Sequence, residues 1–333
     1  MSKKRGPLLP AVLLLLVALA AVPLRAQSTL FYLEAQGVGG YSSSAGKFVY
    51  YSQEQMEAMQ KPGLGFDFVQ RFSGASGDFA VLAIQARVAW NGDGDKALEP
   101  QIFNAYLKFK LKPFDLWIGH ERPSFGLSAV LDSHGLLLQP LAMRGYGFDR
   151  DWGIGLSRQT ETGDLGLSLT TGSGMDLRFR GNYFLAGRIG RGVLATDNLT
   201  AGLSFGYGEL LDVIGVNLQS SKLTRTYMAA LDLTWARDNI EHRFEMGGGD
   251  RGGFGSFAAL YRFGLGLLEE NRLKLEVQPS AVLDSGQARY ELALGATYLL
   301  HADWTLRTMA AYDSFLQDFR VVFQVYFYKG ISF

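Results

Sequence analysis

The sequence predicts an all-β chain: a transmembrane antiparallel β-barrel of about 16 strands, with short periplasmic turns and longer extracellular loops. Three observations carry that expectation. Apolar and polar residues alternate at period two in runs of about ten residues, the pattern of strands with one greasy face. The gaps between these runs alternate between short and long. The chain closes on an aromatic residue, Phe333, after an alternating run that includes Phe323, Val325, Phe327 and Ile331.

The first element is residues 1–26. Lys3, Lys4 and Arg5 precede an uncharged apolar stretch from Leu8 to Leu24, and Ala26 offers a small residue at the cut. This is the layout of a cleaved signal peptide. A retained membrane anchor is the competing reading, but the stretch is short for it. The whole chain carries 32 basic and 32 acidic residues. Cleavage removes four basic residues and no acidic ones, leaving 28 − 32 = −4 over 333 − 26 = 307 residues. Export and a near-neutral charge exclude a nucleic-acid partner. At 47% apolar residues the chain is not disordered. The absence of cysteine excludes disulfides and thiolate metal sites. No cofactor is expected.

Along 27–333 the alternation marks sixteen strands, near 30–41, 62–72, 78–90, 101–111, 114–121, 150–158, 164–172, 182–190, 198–208, 225–235, 240–248, 255–265, 271–281, 288–299, 303–312 and 319–333. In the third, Leu82, Ile84, Ala86, Val88 and Trp90 share one face, and Ala83, Gln85, Arg87 and Ala89 the other. In the fourth, Phe103, Ala105, Leu107, Phe109 and Leu111 alternate with Asn104, Tyr106, Lys108 and Lys110. A seventeenth segment at 210–219 alternates weakly, and an odd count would part the termini. The longest gaps are 42–61, 122–149 and 209–224.

A soluble β-fold hides its apolar face, whereas an outer-membrane barrel turns it to lipid and lines its interior with the polar face. Trp90, Trp117, Trp152, Trp235 and Trp304 stand near strand ends, as interfacial girdles require, while charges occupy mid-strand positions of the opposite stripe. In hydrocarbon every unpaired backbone group costs several kcal/mol, so the sheet must close. A ring of about sixteen strands is too wide for side chains to fill, which leaves an aqueous channel. The expected location is the bacterial outer membrane, embedded in its lipid. The terminal strand ending in Phe333 suits recognition by the barrel-assembly machinery, although Lys329 interrupts its stripe.

Residues 122–149 form the longest outer connection. They begin Arg122-Pro123-Ser124-Phe125-Gly126 and continue through an apolar stretch at Leu136–Leu138 and Leu141 to Arg144. So apolar a loop sits poorly in water, and folding it into the barrel would bury it and narrow the pore. Capping the barrel or packing on a neighbouring subunit are the alternatives.

The run Phe103-Asn104-Ala105-Tyr106-Leu107-Lys108-Phe109, followed by Trp117-Ile118-Gly119-His120-Glu121-Arg122-Pro123-Ser124-Phe125-Gly126, resembles the phosphate-selective porin O/P family. The hairpin from Tyr227-Met228-Ala229-Ala230-Leu231-Asp232 to Arg243-Phe244-Glu245 is similar too. The resemblance implies a sixteen-stranded, often trimeric, passive diffusion channel for small polar solutes or ions. That family's arginine ladder and lysine cluster have no position-by-position match here.

The candidate pore-lining residues are Arg87, Lys108, Lys110, Arg243, Arg272, Lys274, Arg289 and Arg307, with Arg122 and Arg144 at the constriction. Acidic neighbours nearly cancel them, as in Lys274 with Glu276 and Arg289 with Glu291, so the stripe reads as a wall of ion pairs. An anion preference rests on the resemblance and on Lys108, Arg122 and Arg144.

Two other classes compete. A barrel enzyme would need a serine–histidine pair. Gly202-Leu203-Ser204-Phe205-Gly206 fits G-x-S-x-G, but a nucleophile elbow needs a strand-to-helix turn and this match lies inside a strand. A non-conducting scaffold or adhesin would have the same composition, and channel conductance separates the two. Asp93 and Asp95 are too few ligands to argue for calcium.

Overall fold

In the computed structural model, residues 27–49, 61–75, 77–91, 97–214, 217–284 and 286–331 are described. The expected signal segment 1–26, the Asp93 and Asp95 pair and Phe333 lie outside them. The strands are β1 (Gln27–Ser42), β2 (Lys47–Val49), β3 (Gly63–Gly74), β4 (Gly77–Trp90), β5 (Leu98–Lys110), β6 (Asp115–Glu121), β7 (Asp151–Thr160), β8 (Gly163–Thr170), β9 (Tyr183–Arg191), β10 (Leu199–Ile214), β11 (Asn217–Arg237), β12 (Ile240–Arg251), β13 (Phe254–Leu267), β14 (Leu273–Asp284), β15 (Gln287–His301), β16 (Trp304–Asp313) and β17 (Asp318–Ile331).

The short β2 folds back on the end of β1, pairing Gly40 with Val49. The other sixteen make a closed antiparallel ring. β1 pairs with β3, each later strand with the next, and β17 returns to β1 from Phe31↔Ile331 to Ser42↔Arg320. Closure pairs both sides of each of these sixteen described strands, so the ring presents no edge to hydrocarbon. Each of the sixteen expected segments coincides with one ring strand. Both ends of the barrel chain, Gln27 and Ile331, lie at the end of the ring that carries the turn between β3 and β4.

Period two sets the two faces. Outside stand Leu64 at 70% exposure, Leu203 at 58% and Phe323 at 55%. Inside, Arg87, Asp232 and Gln324 are buried. Charged groups inward and large apolar groups outward is the inversion that a membrane barrel requires.

Four expectations need correction. Phe103 does not share the outer stripe. The register slips between Gln85↔Asn104 and Ala86↔Ile102, so a bulge turns Phe103 inward, where it is buried, and Ile102 takes the outer position. Trp117 belongs to no girdle: it pairs with Lys108 on the inner face and is buried, while Ile118 faces outward. The gap 209–224 is not a loop, because β10 and β11 run on as a hairpin to Ile214 and Asn217. Long outer connections also belong to one half of the ring only. The long ones include 122–150 and 171–182, whereas β12–β13 and β14–β15 are joined by two residues each and β16–β17 by four.

Candidate channel constriction

The connection 122–150 leaves β6 and folds into the ring. Its polar contacts are to inward residues of strands spread around the barrel. Ser124 N–H donates to Ser168 Oγ on β8, and Gly126 N–H to Ser204 Oγ on β10, each at 3.0 Å. Leu127 N–H and Leu141 N–H donate to the two carboxylate oxygens of Glu245 on β12, at 2.9 and 3.0 Å. Arg262 of β13 donates to the Leu138 carbonyl at 2.7 Å, and Gln278 of β14 to the Gln139 carbonyl at 3.1 Å. Arg144 binds Glu291 on β15. Across the lumen His134 Nε2 lies 2.8 Å from Glu34 of β1, and Arg150 joins Asn104 of β5 to Asp132 and Asp149.

Apolar packing explains why the loop prefers the lumen to water. Phe125 and Phe148 sit with Phe184, Met228 and Ala230. Leu137 and Leu138 pack on Ala293, Met309 and Ala311. Leu141 and Tyr146 pack on Ala258 and Leu260. Of residues 122–150 only Asp132 is exposed. Two short 3-10 turns, Leu127–Ala129 and Leu141–Arg144, fix its bends. Gly126, at φ 64°, enters the first of them, and a Cβ there would come within 2.7 Å of Glu245 Oε1. Only glycine gives that backbone its left-handed turn and the carboxylate its close approach.

The candidate pore-lining residues divide. Arg87 is buried on the inner wall, 3.6 Å from Glu34, donating to Gln101 and Gln36 and lying 4.8 Å from the Phe103 ring centre. Arg307 donates to Gln324 and stands over Tyr326 near the loop's Gly135. Arg243 pairs with Glu241, and Lys274 bridges Glu241 and Glu276. Arg289 binds Asp313 rather than the expected Glu291, which Arg144 and Arg320 occupy. Lys110 stays at the turn end with Asp78. Arg272 is not a lumen residue: it is exposed at the β13–β14 turn on the carbonyls of Leu299 and Leu300. Lys108 and Arg122 line a cavity of about 420 Å³ with Glu121, Asp164 and Arg188.

The loop therefore brings Arg144 to the wall and holds Arg122 at its root. Glu245, Glu291, Glu34 and His134 hold it as well, a role the sequence did not give them: the three carboxylates read there only as inner-stripe charges. The signal for Glu245 is an inward mid-strand carboxylate flanked in register by Asp232 and Leu260, with no cation opposite. Ser204 serves as an acceptor for the loop within β10, away from any strand-to-helix turn.

No protein-family model and no curated protein matches the chain. Solved structures do. The trimer form of OmpT, an outer membrane protein of Vibrio cholerae, superposes at TM-score 0.66 and 9% identity over 92% of this chain and 100% of that one. The anion-selective porin of Comamonas acidovorans gives 0.62 and 11%, covering 92% and 100%. The outer membrane channel DcaP of Acinetobacter baumannii gives 0.59 and 12%, covering 91% and 98%. The fold is that of the outer-membrane porins. At such identities the likeness concerns the porin fold, and the narrower O/P assignment rests on the short motifs alone.

Proposed function

We propose that this porin-fold chain is a diffusion channel of the bacterial outer membrane, passing small polar solutes and ions through a water-filled lumen that 122–150 narrows. The observation that carries the reading is the docking of an apolar loop onto inward side chains of a closed, polar-lined ring. Residues 1–26 direct export and are cleaved, the barrel-assembly machinery reads β17 and the residues after it that run to Phe333, and three copies associate in the lipid. Deleting 128–142 tests the reading in planar bilayers. Conductance should rise severalfold, and an unchanged conductance removes the loop from the ion path. The near-complete burial of 122–150 favours a second reading, a plugged barrel that serves as scaffold or adhesin. That barrel would stay silent until the loop is cut out.

The channel prefers anions in this reading. In the cavity beside the loop root, Arg188 is neutralised by Asp164 and Asp232, and Arg122 has Glu121 at 3.6 Å. Lys108 has no carboxylate partner among the described residues and rests 5.2 Å from the Tyr106 ring centre. Reversal potentials in a KCl gradient decide the sign, and cation preference overturns this part alone.

A further inference from the structure

The two backbone donors that meet on Glu245 are fourteen residues apart in sequence (141 − 127). The carboxylate thus clamps the neck of a lobe, 128–140, of the size and closed-ended form of an Ω-loop. That lobe carries His134, which reaches Glu34 of β1, and the Gly135 turn beside Arg307 and Tyr326.

We infer that Glu245 is the positioning residue of the channel, the side chain that closes the neck of lobe 128–140 and so sets its approach across the lumen, and that acid loosens the neck by protonating it. This rests on the channel reading above. The step needs only one proton. A carboxylate offers acceptors on both oxygens, whereas the protonated acid presents one O–H donor. That donor would face either the Leu127 or the Leu141 N–H, so one arm of the neck opens.

The surroundings give the clamp no substitute. Asp232 stands opposite on β11 and is held by Arg188 of β9 at 2.8 Å. Leu260 faces Glu245 from β13. Arg262 of β13 is committed to Gln278 and the Leu138 carbonyl, and Arg243, on β12 with Glu245, to Glu241. The loop itself brings only the two amides and Gly126 to this carboxylate.

The experiment uses the full chain carrying L138C and G295C, since the protein has no cysteine of its own. A Cβ on Gly295 lies 3.3 Å from Leu138 Cγ, so a disulfide there ties the lobe to β15. Single-channel conductance is then read with and without E245Q, oxidised and reduced, across the carboxylate titration range. With the disulfide reduced, E245Q should conduct more than its parent, with noisier open levels. The parent's conductance should climb on acidification while E245Q stays flat. Oxidation should return E245Q to the level of the oxidised parent, which a general weakening of the barrel would not do.

Equal conductance and equal pH profiles of reduced E245Q and its parent overturn the inference. If the chain lacking 128–142 conducts more than wild type while E245Q does not, the clamp fails and the channel reading stands. If neither the parent nor the deletion conducts, the channel reading itself fails.

Discussion

The two halves of the ring are built for different tasks. The half from β1 to β9 sends out the long connections 122–150 and 171–182, whereas β10 to β17 is joined at the same end by turns of two to four residues. Yet the second half contributes most of the side chains that seize the loop: Ser204, Glu245, Arg262, Gln278 and Glu291. It also contributes the small inward residues Ala258, Ala293 and Ala311 on which Leu137, Leu138 and Leu141 lie. One half supplies the loop and the other receives it. The lesson concerns long-range specificity: the receiving residues are spread over strands far from residue 122 in sequence, and only ring closure gathers them.

The largest effect should come from the receiving half. Glu291 binds Arg144 of the loop and lies 3.6 Å from Arg320 of β17, with all three side chains at 5–7% exposure. E291A leaves the buried Arg144 without its carboxylate, while Arg320 keeps Asp318 at 3.8 Å, and breaking a buried pair in this way costs about 3–5 kcal/mol. Heat-induced unfolding in detergent should start at a visibly lower temperature. An unchanged transition means that the loop draws no stability from that wall.

A middle-sized effect should come from steric crowding. Gly295 faces Leu138, and a Cβ there would lie 3.0 Å from its Cδ1. Valine overfills a packed contact, which costs about 1–3 kcal/mol. G295V should push the lobe off the wall and alter conductance without abolishing assembly. If G295V leaves the conductance of the wild type intact, Leu138 does not rest against β15 in the conducting state.

Much of this was legible in the sequence because period two is a local signal. Strand positions near Phe79–Trp90 and 319–328 follow from side chains alternating within a few residues of one another, and so does the outward placing of Val88 and Phe323. The inward folding of 122–149 was legible from its own greasiness. What failed was anything that depends on a neighbouring strand. The bulge that buries Phe103 exists only against Gln85 and Ala86 of β4. Trp117 turns inward because its parity is set by pairing with Lys108 on β5 and Gly155 on β7, a glycine that makes room for the indole. The weak alternation at 210–219 hid a hairpin whose strands continue past the expected end. For the same reason Glu245 could be assigned to the inner stripe but not to the loop, since its partners Leu127 and Leu141 are main-chain amides that leave no mark on composition.

The smallest effect should come from the supplying half, and it bears on where the channel is narrow. Lys110 was expected to line the pore, but it stands at the turn end of β5. It lies 3.5 Å from Asp78, and the two side chains are 42% and 31% exposed. Exposed pairs of this kind are screened by salt and contribute little. K110A should therefore leave the unfolding transition and the single-channel conductance within error of wild type, at low and at high ionic strength. This contrasts with E291A, because the difference between the two lies in burial and not in charge type. The contrast also tests position along the axis. A side chain at the mouth meets ions in wide, solvated space, where one charge does little to the local field, whereas a charge beside lobe 128–140 acts where the passage is tight. Should K110A change conductance as much as removing 128–142 does, the resistance of the channel would lie at the turn end, and the receiving half would be holding a loop that does not set the flow.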